Sequence, residues 1–444
     1  MIRIANGQGF WGDWLEAPKR LVERGGFEYL TLDYLAEVTM SILQKLRKAD
    51  PAAGYARDFP PLIQEIAPRL LDSGIKVIAN AGGVNPVACA KAIKRLCPSL
   101  KLAVVLGDDI LGILNNLISE GLTFENIDTG APIEAIRGDI LSANVYLGAF
   151  PIAEALSTGA DVVITGRCAD AALALGPMIH RFGWKETEWD RLAAGIVGGH
   201  IIECGTQATG GNCQADWRSI PDFAHIGYPV LEAHPDGTML VTKQEGTGGR
   251  VTLATVKEQL LYEIGDPQRY LTPDATVDFT SLELHEADKD RVEITGAHGT
   301  ARPDLLKASI SYHYGWKAVG TLVYSAPNAL EKAQVADSVV RTRLAELNLA
   351  FEKIHTEFFG VNACHAHLAP PVEDPPEVQL RIGARGRNKA ALDRFTRELI
   401  PLVLSGPPTA TGYGEGRPQV REIVAYWPAL VPRSIVEPRV EIVS

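Results

Sequence analysis

Five short apolar runs, each followed by a helical pattern, organise the first part of the chain and limit what it can fold into. The runs are Ile2–Ala5, Glu28–Leu32, Lys76–Ala79, Leu102–Val105 and Asp161–Thr165. Helical periodicity lies near Trp14–Glu23, Ala36–Lys48, Leu62–Ser73, Pro86–Leu96, Leu111–Glu120 and Gly148–Ser157. Strands alternating with helices are joined by crossovers, which predicts a mostly parallel sheet covered on both faces. The β-branched run Val162-Val163-Ile164 fits a strand buried on both sides.

From Gly198 onward the texture changes. Glycines and turn signals crowd together at Gly227-Tyr228-Pro229, Asp236-Gly237 and Gly246–Gly249. Helix is expected again at Val256–Ile264 and Ala329–Leu347, a strand at Val319–Tyr324, and a strand–helix unit over Gln379–Val403. Pro370–Glu377 reads as a rigid surface loop. The expectation is an α/β chain: a Rossmann-like, doubly wound, mostly parallel sheet over residues 1–195, then an α+β domain over 196–444 that completes a site between them.

The 444 residues suffice for a sizeable core. A net charge of −11 argues against nucleic acid or an anionic membrane as partner, since both need a basic footprint. No apolar run is long enough to span a bilayer, and MIRIANGQGF is not a signal peptide. Cys89, Cys97, Cys168, Cys204, Cys213 and Cys364 form no CxxC pair, which fits reduced thiols in the cytoplasm.

Several motifs carry candidate chemistry. Gly7-Gln8-Gly9-Phe10-Trp11-Gly12 is a literal G-x-G-x-x-G between a strand and a helix, with Asp33 at the end of the next strand. That is the dinucleotide fingerprint, and it makes Gly9 a ligand-contact candidate. Bulky Trp11 equally suits a turn lining some other pocket. In Asn80–Pro86, Asn85 and Pro86 suit a helix start, Gly82 and Gly83 would turn amides toward an anion, and Asn80 would orient it. In Thr165–Asp170, Arg167 is placed to fork a carboxylate or phosphate, Cys168 to have a lowered pKa, and Asp170 to act as acid/base or merely to cap the next helix.

His200 and Glu203 stand three apart, on one face if helical and on opposite faces if extended. They are the leading acid/base candidates, with Gln207, Thr209 and Asn212 as small donors beyond them on a cleft-lining segment. Lys243–Gly249 is a glycine turn with Lys243 and Glu245, best read as a hairpin. Cys364-His365-Ala366-His367 lacks evident partner ligands, so no metal is expected, and Gly412–Pro418 reads as a loop with Arg417 as an anion contact. No GxSxG elbow or P-loop occurs.

Taken together, Tyr34–Leu43, Asn80–Pro86, Val163–Pro177, Gly198–Asn212, Gly227–Pro229 and Tyr426–Arg433 resemble the acyclic terpene utilisation protein A family over nearly the whole chain. The resemblance implies catabolism of branched acyl chains as coenzyme A thioesters, by a lyase or hydratase step on a 3-hydroxy-3-alkylglutaryl-type substrate. Coenzyme A then enters as part of the substrate, with no separate cofactor. Longer members carry a small C-terminal domain beyond the position of Ser444, so a partner subunit of roughly a hundred residues is expected, in an oligomer. The alternatives are a nucleotide-dependent enzyme using Gly7–Gly12, or a binding subunit active only with its partner.

Overall fold

The computed structural model describes residues 1–36, 38–412 and 416–443. In chain order the first elements are β1 (Ile2–Gln8), α1 (Glu16–Arg24), β2 (Tyr29–Leu32), α2 (Thr39–Ala49), α3 (Phe59–Ser73), β3 (Lys76–Ala79), α4 (Pro86–Leu96), β4 (Leu102–Leu106), α5 (Leu114–Ser119), β5 (Ile140–Val145), α6 (Phe150–Ser157), β6 (Val162–Thr165), α7 (Ala172–Phe182) and α8 (Trp189–Glu203). Then come β7 (Pro229–Ala233), β8 (Met239–Lys243), α9 (Leu253–Leu261), β9 (Tyr270–Leu271), β10 (Thr276–Asp278), β11 (Glu283–Asp288), β12 (Arg291–Thr295), β13 (His298–Thr300) and β14 (Leu305–Ser325). The chain ends with α10 (Ala329–Glu346), β15 (Lys353–Phe359), β16 (Glu377–Gly386), α11 (Lys389–Phe395), α12 (Leu402–Ser405), β17 (Arg421–Pro432) and β18 (Arg439–Val443).

The architecture is mixed α/β around a ten-stranded sheet of order β11-β12-β8-β7-β1-β2-β3-β6-β4-β18. The expectation of a mostly parallel sheet needs correcting. β1, β2, β3, β6 and β4 run parallel, but β7, β8, β12 and β11 extend one edge and β18 the other, all antiparallel. These added strands are joined by hairpins and loops, and so escaped a reading that looked for crossover helices.

Residues alternate between the two faces of the parallel strands. Leu30, Leu32, Val77, Ala79, Val162 and Ile164 join one core with α1, α3 and α4. α6, α7 and α8 pack on one another and on the sheet as a second group. Asn85 caps α4 by accepting from the Ala88 amide at 3.4 Å. No helix among the described residues is long and apolar enough to cross a membrane.

Two compact units result, Met1–Ser311 with Tyr426–Ser444, and Tyr312–Ala425. This division differs from the one expected at residue 195, because the strands after α8 continue the first sheet instead of starting a new one. In the smaller unit β16 pairs antiparallel with β14 and β15, and Leu380 and Ile382 bury against Val340, Leu344 and Phe395. Of the expected Gly412–Pro418 loop, Tyr413, Gly414 and Glu415 lie outside the described residues.

Candidate functional site

Strands β1, β2, β3 and β6 end side by side, and each ends in a buried polar group: Asn6 and Gln8, then Asp33, Asn80 and Arg167. The helices after β1, β2 and β3 pack in one group and the helix after β6 in the other. The turns after β3 and β6 therefore lead to helices in different groups. The Gly82 amide ties the two turns by donating to the Thr165 carbonyl at 3.1 Å.

The side chains there form one network. Asn80 Nδ2 donates to Asp33 Oδ1 at 2.7 Å, and Asn80 Oδ1 accepts from the Tyr34 amide at 2.7 Å. The Leu35 amide also donates to Asp33, at 3.0 Å. Arg167, 2% exposed, donates through Nη1 to the Leu35 carbonyl and pairs through Nη2 with Asp170 at 3.2 Å. Its guanidinium lies 4.2 Å from the ring centre of Tyr146, and Lys307 lies 5.1 Å from the same ring. Burial works against the Arg167 charge but is outweighed by Asp170, Tyr146 and Asp33, so its pKa is raised further. Burial, reinforced by Asp170 and opposed by Arg167 and Asn80, holds the Asp33 carboxyl well above the usual carboxylate range.

The last turn of α8 brings His200 and Glu203 onto one face, with Nδ1 2.9 Å from Glu203 Oε1. Tyr270 and Phe279 wall the imidazole at ring-centre distances of 5.9 and 5.6 Å. Burial pushes Glu203 up to about 7, against the pull of His200 and with the help of Asp170. Burial opposes protonation of His200, but Glu203 and the Leu260 backbone reverse the sign and raise its pKa. Tyr270 stays a phenol far above neutral pH, raised by burial and then by Glu203 and Asp170. The Asn6 side chain reaches the Glu203 carbonyl at 3.4 Å and so ties α8 to the strand ends.

The structure brings together six of the expected residues: Asp33, Asn80, Arg167, Asp170, His200 and Glu203. All belong to the larger unit, where the expectation put the site between two domains. Others have different tasks. The Gly82 and Gly83 amides are not free for an anion, because they donate to the Thr165 and Asn80 carbonyls. A Cβ on Gly82 would sit 2.6 Å from the Thr165 carbonyl oxygen, so glycine is needed there for close packing. Asn80 is spent on Asp33 and Tyr34. At Gly9 a Cβ would lie 2.9 Å from the Cys204 backbone, which accounts for the glycine through packing on the end of α8.

The Gly9 and Trp14 amides donate to Asp13, at 2.9 and 2.7 Å, so a carboxylate of the chain itself stands against the Gly7–Gly12 turn. Burial raises the Cys168 thiol instead of lowering it. Asp170 makes no side-chain cap to α7, which starts after Ala171; it pairs with Arg167. Gly195, Gly198 and Gly199 belong to the buried helix α8. Beyond it Gln207 is half-buried in a 3-10 turn, and Asn212 is exposed with a φ of 56°. Thr209 is buried and donates to the Gly227 carbonyl at 2.6 Å. Cys364, His365 and His367 are exposed in the smaller unit, and among the described residues no group of three or more His, Cys, Asp or Glu is arranged to hold a metal.

Sequence reasoning missed Asp108, Asn144, Tyr146 and Tyr270. Asp108 accepts from the Arg167 amide and from Asn144 Nδ2, both at 2.8 Å, and burial pushes its carboxyl up to about 7. The Gly107-Asp108 pair at the end of an apolar strand was the available signal. The family model for the acyclic terpene utilisation family protein AtuA matches residues 2–442. No curated protein and no solved structure matched the chain.

Proposed function

The chain belongs to the acyclic terpene utilisation family AtuA, and from that premise we propose a lyase or hydratase acting on a branched, carboxylated acyl-coenzyme A thioester of the 3-hydroxy-3-alkylglutaryl type. The observation that supports this reading is the buried His200–Glu203 pair at the strand ends, whose carboxyl exchanges its proton near pH 7. A general base works best when its pKa lies close to the operating pH. Both candidate reactions move one proton and place negative charge on a thioester oxygen.

In the lyase direction, the pair takes the 3-hydroxyl proton and the C2–C3 bond breaks. Its electrons form the thioester enolate, which is then protonated, leaving a 3-oxo acid and an acetyl thioester. In the hydratase direction, the pair takes a proton from C2, and the 3-hydroxyl leaves as water after receiving one. Tyr270, held as a phenol, is the donor suited to the enolate oxygen, and Arg167 supplies the buried positive charge. In this structure Arg167 already serves Leu35 and Asp170, so its contribution is the field it sets.

The test is incubation of purified protein with a 3-hydroxy-3-methylglutaryl thioester and its 3-alkyl homologues, with products read by mass spectrometry. Cleavage fragments indicate the lyase and a dehydrated thioester the hydratase. An unchanged substrate across the series, alone and with cell extract supplying a partner subunit, removes the proposal.

A further inference from the structure

Away from the strand-end cluster, the larger unit holds a cavity of about 1500 Å³ beside the glycine turn Gly246–Gly249. Six cations line it: Arg3, Arg24, Lys243, Arg250, Lys289 and Arg291. Only four carboxylates do, in a chain whose 54 acidic residues outnumber its 43 basic ones. The local balance is therefore the reverse of the global one.

Three of these carboxylates are also held by other groups. Glu286 accepts from the Leu253 amide and Asp290 from the Val251 amide, both at 2.9 Å, and Asp288 accepts from the Lys289 amide at 2.7 Å. Asp290 also faces Lys243 at 3.5 Å. The sheet floor carries more uncompensated charge. Arg3 and Glu232 stand opposite each other in β1 and β7, and Arg291 reaches the same carboxylate, so two guanidiniums share one acid. Arg24, Arg250 and Lys289 have no carboxylate within ion-pair distance among the described residues.

We propose that this cavity is a second binding site, for a small polyanion of about nucleotide size bearing phosphoryl or carboxylate groups. The volume exceeds the usual 300–1000 Å³ of small-ligand pockets, and it accommodates a ligand touching several cations at once. Exposed arginine and lysine side chains without a carboxylate partner are the groups that a multiply charged ligand draws in, with bidentate contacts from the guanidiniums. The proposal uses none of the residues assigned to acid/base chemistry and stands apart from the reading of the reaction.

The experiment is isothermal titration of the full chain with inorganic pyrophosphate and, separately, with citrate. Wild type is compared with Arg250→Gln/Lys289→Gln and with Glu203→Gln. Arg250 and Lys289 are exposed, so the double variant should keep its fold, checked by an unchanged melting temperature. The expected result is binding of at least one probe, weakened by added salt, unchanged in Glu203→Gln and about tenfold or more weaker in the double variant. Preference for pyrophosphate marks a phosphoryl reader and preference for citrate a carboxylate reader. The proposal is overturned if neither probe binds wild type at about 1 mM, or if the double variant binds as wild type does.

Discussion

In the proposed reaction Glu203 is the residue on which the chemistry turns, because burial and one imidazole partner place its ionisation near neutral pH. Glu203→Gln keeps the shape and removes the titration; His200→Ala removes the partner. Each is expected to lower turnover by roughly 10²-fold with the fold retained, measured as kcat beside circular dichroism. Arg167 is a different case. Replacing it with Met leaves buried Asp33 and one-third-exposed Asp170 without their cation, a loss of about 1–3 kcal/mol that denaturant unfolding would detect.

Asp108 gives a stability test with a definite sign. Its folded pKa of about 7 lies above the ordinary carboxylate value, so the folded state binds the proton more tightly than the unfolded chain. Its contribution is complete below the unfolded pKa and disappears as pH rises through about 7. Asp108→Asn should therefore flatten the fall in unfolding midpoint between acid and neutral pH. An unaltered pH dependence in the variant would show that Asp108 is not responsible.

At the scale of elements, α8 shows how packing overrides propensity. Gly195, Gly198 and Gly199 weaken any helix in isolation, and the sequence there leaves helix and strand both open. In the fold each glycine lets a neighbour approach: a Cβ would lie 2.5 Å from Leu175, 2.7 Å from Leu231 and 2.6 Å from the Ala171 carbonyl oxygen, respectively. Gly199→Ala, clashing with backbone next to Asp170, should cost about 1–3 kcal/mol. Gly265→Ala, with open space and ordinary φ, should stay within about 0.5 kcal/mol. Melting temperatures of the two variants separate the explanations.

The same contrast explains what could be read in advance. β3 and α4 were legible to the residue, because β-branched runs and an Asn-Pro cap are local signals. Arg167 and Asp33 were legible as strand-end polar groups. Tyr270, arriving on a two-residue strand, and Asp108, defined by its contact with a distant turn, depend on closure of the chain over long separations. Periodicity carries no trace of such closure, nor of the close approaches that a Cβ on Gly9, Gly82 or Gly83 would block.

For the molecule as a whole, the candidate chemistry lies in one unit, Met1–Ser311 with Tyr426–Ser444, where four parallel strands and the end of α8 deliver amide and ionisable groups to one place. The account's central claim is that the His200–Glu203 pair is the proton-transfer group acting on an acyl thioester. The pH dependence of kcat/KM, for wild type and Glu203→Gln on the 3-hydroxy-3-methylglutaryl thioester, tests it most directly. The predicted result is a wild-type rate that climbs with pH through about 7 as Glu203 loses its proton, and a variant that is about a hundredfold slower and lacks that limb. A variant with wild-type rates and the same pH profile would contradict the claim.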